Sequence, residues 1–83
     1  MKVVKYPLST EKAIRQMESD NTLVFVVEKK ATKSEIKKAI ESLYKVKVKR
    51  VNVLVDNQQR KKAYVKLESG YNAADLAVKL GIL

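Results

Sequence analysis

Residues 46–67 read VKVKRVNVLVDNQQRKKAYVKL, and this stretch decides the fold. Val46 and Val48 alternate with lysines, and Val51, Val53 and Val55 alternate with Asn52 and Leu54. An alternation of two is the period of a strand, whose side chains point to opposite faces in turn. The phase changes at Lys49-Arg50, so either a bulge sits there or the strand proper starts near Val51. The favoured reading is a strand over 48–55 with a disturbed start. Farther on, Ala63, Val65 and Leu67 alternate with Lys62, Tyr64 and Lys66, giving a second strand over 62–67. The polar run between them, DNQQRK at 56–61, is too short for a crossover helix, so the two strands form an antiparallel hairpin.

Working outward, TLVFVV at 22–27 is β-branched and aromatic, and apolar on both faces. That pattern predicts a central strand at least partly covered on each side. Before it, KVVKY at 2–6 is a short strand or an extended arm ended by Pro7. Ser9 is placed to cap a helix over about 10–18, with Leu8 ahead of the cap, Glu11 in the first turn and Ala13, Ile14 and Met17 inward. Asp20-Asn21 reads as a turn. The run TKSE at 32–35 is a capping box. It opens a helix over 33–44 with Ile36, Ala39, Ile40 and Leu43 inward and Lys37–Glu41 as an i,i+4 pair. Asn72 caps a last helix that carries Ala73, Leu76, Ala77 and Leu80 inward and stops at Gly81. The order is arm or strand, helix, strand, helix, strand, strand, helix. It predicts a sandwich-like α+β fold, an antiparallel sheet with packed helices, in one domain over residues 1–83.

Composition narrows the function. In 83 residues there are 18 Lys and Arg against nine Asp and Glu, a formal charge of +9. Such an excess points to a polyanionic partner, and nucleic acid fits better than a membrane surface because no long apolar span or lipid-facing helix is present. There is no Cys and no His, which removes disulfides, thiolate chemistry and imidazole ligands. Only two glycines occur, so no phosphate-cradling loop exists, and no carboxylate pair or metal triad is spaced for chemistry. The chain reads as a non-enzyme with no cofactor and no metal. The start, MKVVKYPLSTEK, lacks the apolar stretch of a signal peptide, and a cytoplasmic location is expected.

The distribution of charge says more than its total. Residues 29–50 hold Lys29, Lys30, Lys33, Lys37, Lys38, Lys45, Lys47, Lys49 and Arg50, opposed only by Glu35 and Glu41. A second group, Arg60, Lys61, Lys62 and Lys66, lies on the hairpin. The two groups are expected to join into one positive surface that follows a folded phosphate backbone. With only three arginines, Arg15, Arg50 and Arg60, backbone and shape recognition is favoured over a base-by-base code. Tyr64, between Lys62 and Lys66 on the outward face, is a candidate for stacking on an unpaired base. A solvated lysine face is the bland alternative. An RNA-binding adaptor of the RRM kind, reading single strands by sheet-face stacking, is the sharper one, although no RNP-type aromatic run is present.

Several segments resemble the large-subunit ribosomal protein L23 family: YPLSTEKA at 6–13, NTLVFVV at 21–27, KATKSEIKKAIESLYKVKVKRVNVL at 30–54, KKAYVKL at 61–67 and GYNAADLAVKLGIL at 70–83. The end segment and the short hairpin connection resemble the archaeal form. Bacterial relatives carry a long extension in that hairpin. The resemblance implies a structural constituent of the large ribosomal subunit, bound to rRNA near the polypeptide exit. It implies ribosomal protein L29 as a neighbour and an exposed surface that receives factors such as the signal recognition particle. It also implies residue roles. Thr10, Glu11 and Lys12 would face rRNA from the first helix, and Lys33, Lys37 and Lys38 would line the second. Lys47, Lys49, Lys61 and Lys62 would hold the backbone. The charge reading adds Arg50, Arg60, Tyr64 and Lys66.

Overall fold

The computed structural model describes residues 3–82. Seven elements follow in order: β1 (Val4–Pro7), α1 (Glu11–Asp20), β2 (Thr22–Val27), α2 (Lys33–Tyr44), β3 (Val48–Val55), β4 (Lys61–Leu67) and α3 (Ala73–Leu80). The strands form one antiparallel sheet in the order β1-β2-β4-β3. The expected α+β class holds, with the three helices packed against the sheet. Of the N-terminal run KVVKY, Lys2 lies outside the described residues. Val4 to Tyr6 are strand, and Pro7 closes it at the sheet edge, where a missing N–H donor does no harm.

All six residues of β2 are buried. Leu23, Phe25 and Val27 face the main core, beside Ala63 and Val65 of β4, Val51 of β3, and Ile36 and Ile40 of α2. Tyr44, at the end of α2, stacks on Phe25 with ring centroids 6.0 Å apart. Val24 and Val26 point to the opposite face and lie outside that core. There the sheet is covered by α1, which lines a groove with the outward residues of β3 and β4. The layers are therefore helix, sheet, helix. The third helix, α3, contributes Ala73, Leu76 and Ala77 to the main core and touches both α1 and β2.

The disturbed start of β3 is a bulge between Val48 and Arg50. One extra residue resets the two-residue phase, so Val48 and Val51 are both buried while Lys49 and Arg50 are both exposed. The capping box at Thr32 and Glu35 is complete, with bonds of 2.9 and 3.2 Å.

Four local expectations are corrected. The cap of α1 is Thr10, not Ser9, because Leu8 N still donates to Val24 O in the sheet and the chain stays extended one residue longer. The same helix runs to Asp20 instead of 18, with Asn21 as its left-handed C-cap. Leu43 is 59% exposed and does not join the core of α2. Lys37 and Glu41 do not pair. Glu41 Oε2 instead accepts from Val48 N at 2.9 Å, tying the end of α2 to the start of β3.

Asn21 does far more than turn the chain. Its Nδ2 donates to Tyr71 O and its Oδ1 accepts from Ala73 N, both at 2.7 Å, while its carbonyl accepts from Leu67 N at 3.1 Å. One side chain thus joins the end of α1 to the start of α3. Asn21→Gly preserves the left-handed backbone (φ 54) but loses both side-chain bonds, and should destabilise by about 1–3 kcal/mol. Asn21→Ala should cost roughly 1 kcal/mol more, because alanine tolerates that backbone poorly. Urea unfolding of both variants measures the difference, and equal stability of Asn21→Ala and the parent would refute the tie.

Candidate nucleic-acid interface

The cations highlighted by sequence fall into three groups. Lys33, Lys37 and Lys38 are exposed on α2: Lys38 lies opposite the inner stripe of Ile36 and Ile40, Lys37 on its flank and Lys33 in the first turn. Lys47, Lys49 and Arg50 are exposed at the entry to β3, the last two put there by the bulge. Arg60, Lys61, Lys62 and Lys66 are half-buried at the hairpin and along β4.

The expected single surface is not what the fold builds. Ala63, Val65 and Leu67 of β4 face the α2 side, so Lys62, Tyr64 and Lys66 must face the other. The lysines of α2 and the outward side chains of β4 lie on opposite sides of the sheet. Strand periodicity predicts which residues of β4 face out, but not which face α2 covers. The positive charge therefore presents two faces, with the β3 entry at the sheet's edge.

The hairpin cations are also partly committed within the chain. Asp56 accepts from the backbone N–H groups of Gln58 and Arg60 at 3.0 and 2.9 Å and from Arg60 Nε at 3.0 Å. Arg60 and Lys62 approach its Oδ2 at 3.0 and 3.5 Å. The Arg60 backbone N–H first, then the Arg60 guanidinium and the Gln58 N–H, hold the Asp56 carboxyl below the usual range. The Tyr6 phenol and Asp56 raise the pKa of the Arg60 guanidinium. Lys61 Nζ donates to the carbonyls of Ala31 and Lys29 at 2.7 and 3.2 Å, pinning the hairpin to the start of α2. Sequence reading gave these three residues to RNA without seeing that they build the turn. The polar character of DNQQRK, with an Asp four residues before an Arg, is the signal that hints at it.

The other candidates differ. Thr10 caps α1 by accepting from Ala13 N at 3.2 Å, and Glu11 pairs with Arg15 at 3.3 Å on an exposed surface. By contrast, Lys12, Lys33, Lys37, Lys38, Lys47, Lys49, Arg50 and Lys66 are in no salt bridge among the described residues. Arg50 and Lys66 sit directly opposite each other across β3 and β4, an arrangement that repels. Lys33, in the first turn of α2, faces the positive end of the helix dipole. Neither placement helps the fold, and both suit an anion.

Between α1 and the outward face of β3 and β4 runs a groove of about 460 Å³, which sequence reading missed. Lys12, Gln16 and Asp20 form its helical wall, and Arg50, Asn52, Leu54, Tyr64 and Lys66 line its sheet side. No cluster of acidic side chains able to hold a metal ion occurs among the described residues. What these surfaces can do chemically is bind and orient a polyanion.

The family model described as ribosomal protein L23 matches residues 2–74. A curated relative from Trypanosoma brucei brucei, named large ribosomal subunit protein uL23, is 46% identical over 82 residues. That match covers 99% of this chain and 50% of the relative, so the chain spans about half the length of the protein it matches.

Two outcomes test the electrostatics. Lys66→Gln should stabilise the protein at low salt by about 0.2–1 kcal/mol by relieving the repulsion with Arg50, and the gain should fade as salt is added. An unchanged midpoint in urea at low salt would contradict the pairing. Asp56, whose folded pKa is depressed, contributes stability that is present above its unfolded value near 4 and lost as pH falls through the folded value. Asp56→Asn should therefore lower the thermal midpoint at pH 7 and flatten its decline as the pH falls below about 4.

Proposed function

Because the chain belongs to the ribosomal protein L23 family, we propose that it is a structural constituent of the large ribosomal subunit that binds large-subunit rRNA through its lysine surfaces. The observation that carries this reading is the set of exposed, unpaired cations on α2 and at the start of β3, in a chain of that family. Their charge is not used in the fold, and at Lys33 and at Arg50–Lys66 it opposes the fold. An RNA backbone neutralises such charges and releases its counterions. The mobile ammonium groups suit phosphate oxygens rather than base edges.

In the assembled particle the chain would lie near the polypeptide exit, beside ribosomal protein L29, and its solvent side would help receive factors such as the signal recognition particle. The cellular site is the cytoplasmic ribosome. The short connection at 56–60 between β3 and β4 supports an archaeal-type form, without a long arm leading from the hairpin.

The test is a triple substitution of Lys33, Lys37 and Lys38 by Glu. It should leave circular dichroism unchanged, since all three are exposed, and weaken both incorporation into large subunits and binding to a large-subunit rRNA fragment. The slope of log affinity against log salt should shrink by about 0.9 for each duplex phosphate that is no longer neutralised. A parental slope and parental incorporation would rule out the α2 interface.

A further inference from the structure

The groove between α1 and the outward sheet face has the chemistry of a nucleotide seat. Tyr64 forms part of its sheet side, with Asn52 directly across the strand pair. Two residues along β4, about 7 Å away, Lys66 stands opposite Arg50. The amides of Asn52 and, across the groove, Gln16 take part in no hydrogen bond among the described residues. Asp20 is the one acid on the lining, against Lys12, Arg50 and Lys66. The volume, about 460 Å³, lies in the range of roughly 300–1,000 Å³ that holds small ligands.

These features divide the work of binding. A flat ring offers stacking to any base. The amides present donors and acceptors to a base edge. The repelling pair is relieved by a phosphate. A base-paired duplex does not expose a base face to Tyr64, whereas an unpaired residue does.

We propose that this groove receives one unpaired RNA nucleotide, its base stacked on Tyr64 and its phosphate held between Arg50 and Lys66, on the side of the sheet opposite the lysines of α2. The inference rests on the RNA-binding reading above and assigns the second positive face a different task. The α2 face grips backbone, and the groove selects for a base that has left its helix.

The test uses the 83-residue chain with two probes: a short oligouridine carrying one 2-aminopurine, and a blunt RNA duplex of equal length. The parent should quench the 2-aminopurine on binding. Tyr64→Ala should abolish that quench and weaken single-strand binding roughly 5- to 150-fold, while duplex binding stays at the parental level. Tyr64→Phe, which retains the ring, should restore both. If both probes bind and Tyr64→Ala matches the parent on the single strand, the groove is not the seat, and the RNA-binding reading survives. If neither probe binds in a salt-dependent way, the RNA-binding reading fails and the groove falls with it. Should Tyr64→Ala lose its native circular dichroism, Arg50→Gln decides instead, since Arg50 is exposed. It should weaken the single strand at least about fivefold, and parental affinity overturns the proposal.

Discussion

The structure depends on one strand that is apolar on both faces. A sheet covered on one side buries alternate residues of its strands. β2 buries all six of its own, so it needs a layer on each side. On one side α2 brings Ile36 and Ile40 into the same core as Phe25 and stacks Tyr44 on its ring. On the other, Val24 and Val26 require α1. A ten-residue helix over β2 does not also cover β3 and β4, so their outward side chains stay beside a groove. The opening that could hold RNA is therefore a by-product of how the core is closed.

That geometry separates cations that build the protein from cations that do not. Arg60 and Lys62 converge on Asp56, and Lys61 reaches the carbonyls of Ala31 and Lys29. Their contacts close the β3–β4 turn and fasten it to α2. The exposed lysines of α2 and the Arg50–Lys66 pair make no such contacts. The fold carries repulsion at that pair, which is understandable if an anion completes the site. Positive charge that is paired within the chain and positive charge that is not are thus different in kind, although they are the same residue types in the sequence.

The site was legible to the extent that it followed from alternation. Placing Tyr64 and Lys66 outward on β4 needed only the period of two, and the bulge at Lys49-Arg50 was visible as a phase slip. The roles of Thr10 and Asn21 were not, because a cap depends on where the preceding strand releases the chain and on what lies nearby in space. Asn21 meets Tyr71 and Ala73 across about 50 residues of sequence. Glu41 looked like a helix-surface partner for Lys37 and proved to be a ligand for the Val48 amide, a contact no helical spacing rule contains.

By itself, the sequence determined the order and kind of the elements, the double-faced burial of β2 and the excess of positive charge. All three are written in local period and composition, which act over a few residues. Only the tertiary structure decided which side of the sheet each helix takes, and hence that the basic residues face two ways with a groove on one of them. That choice is made by packing between segments distant in the chain. Spacing along the sequence fixes each element's own faces but not which of them meet.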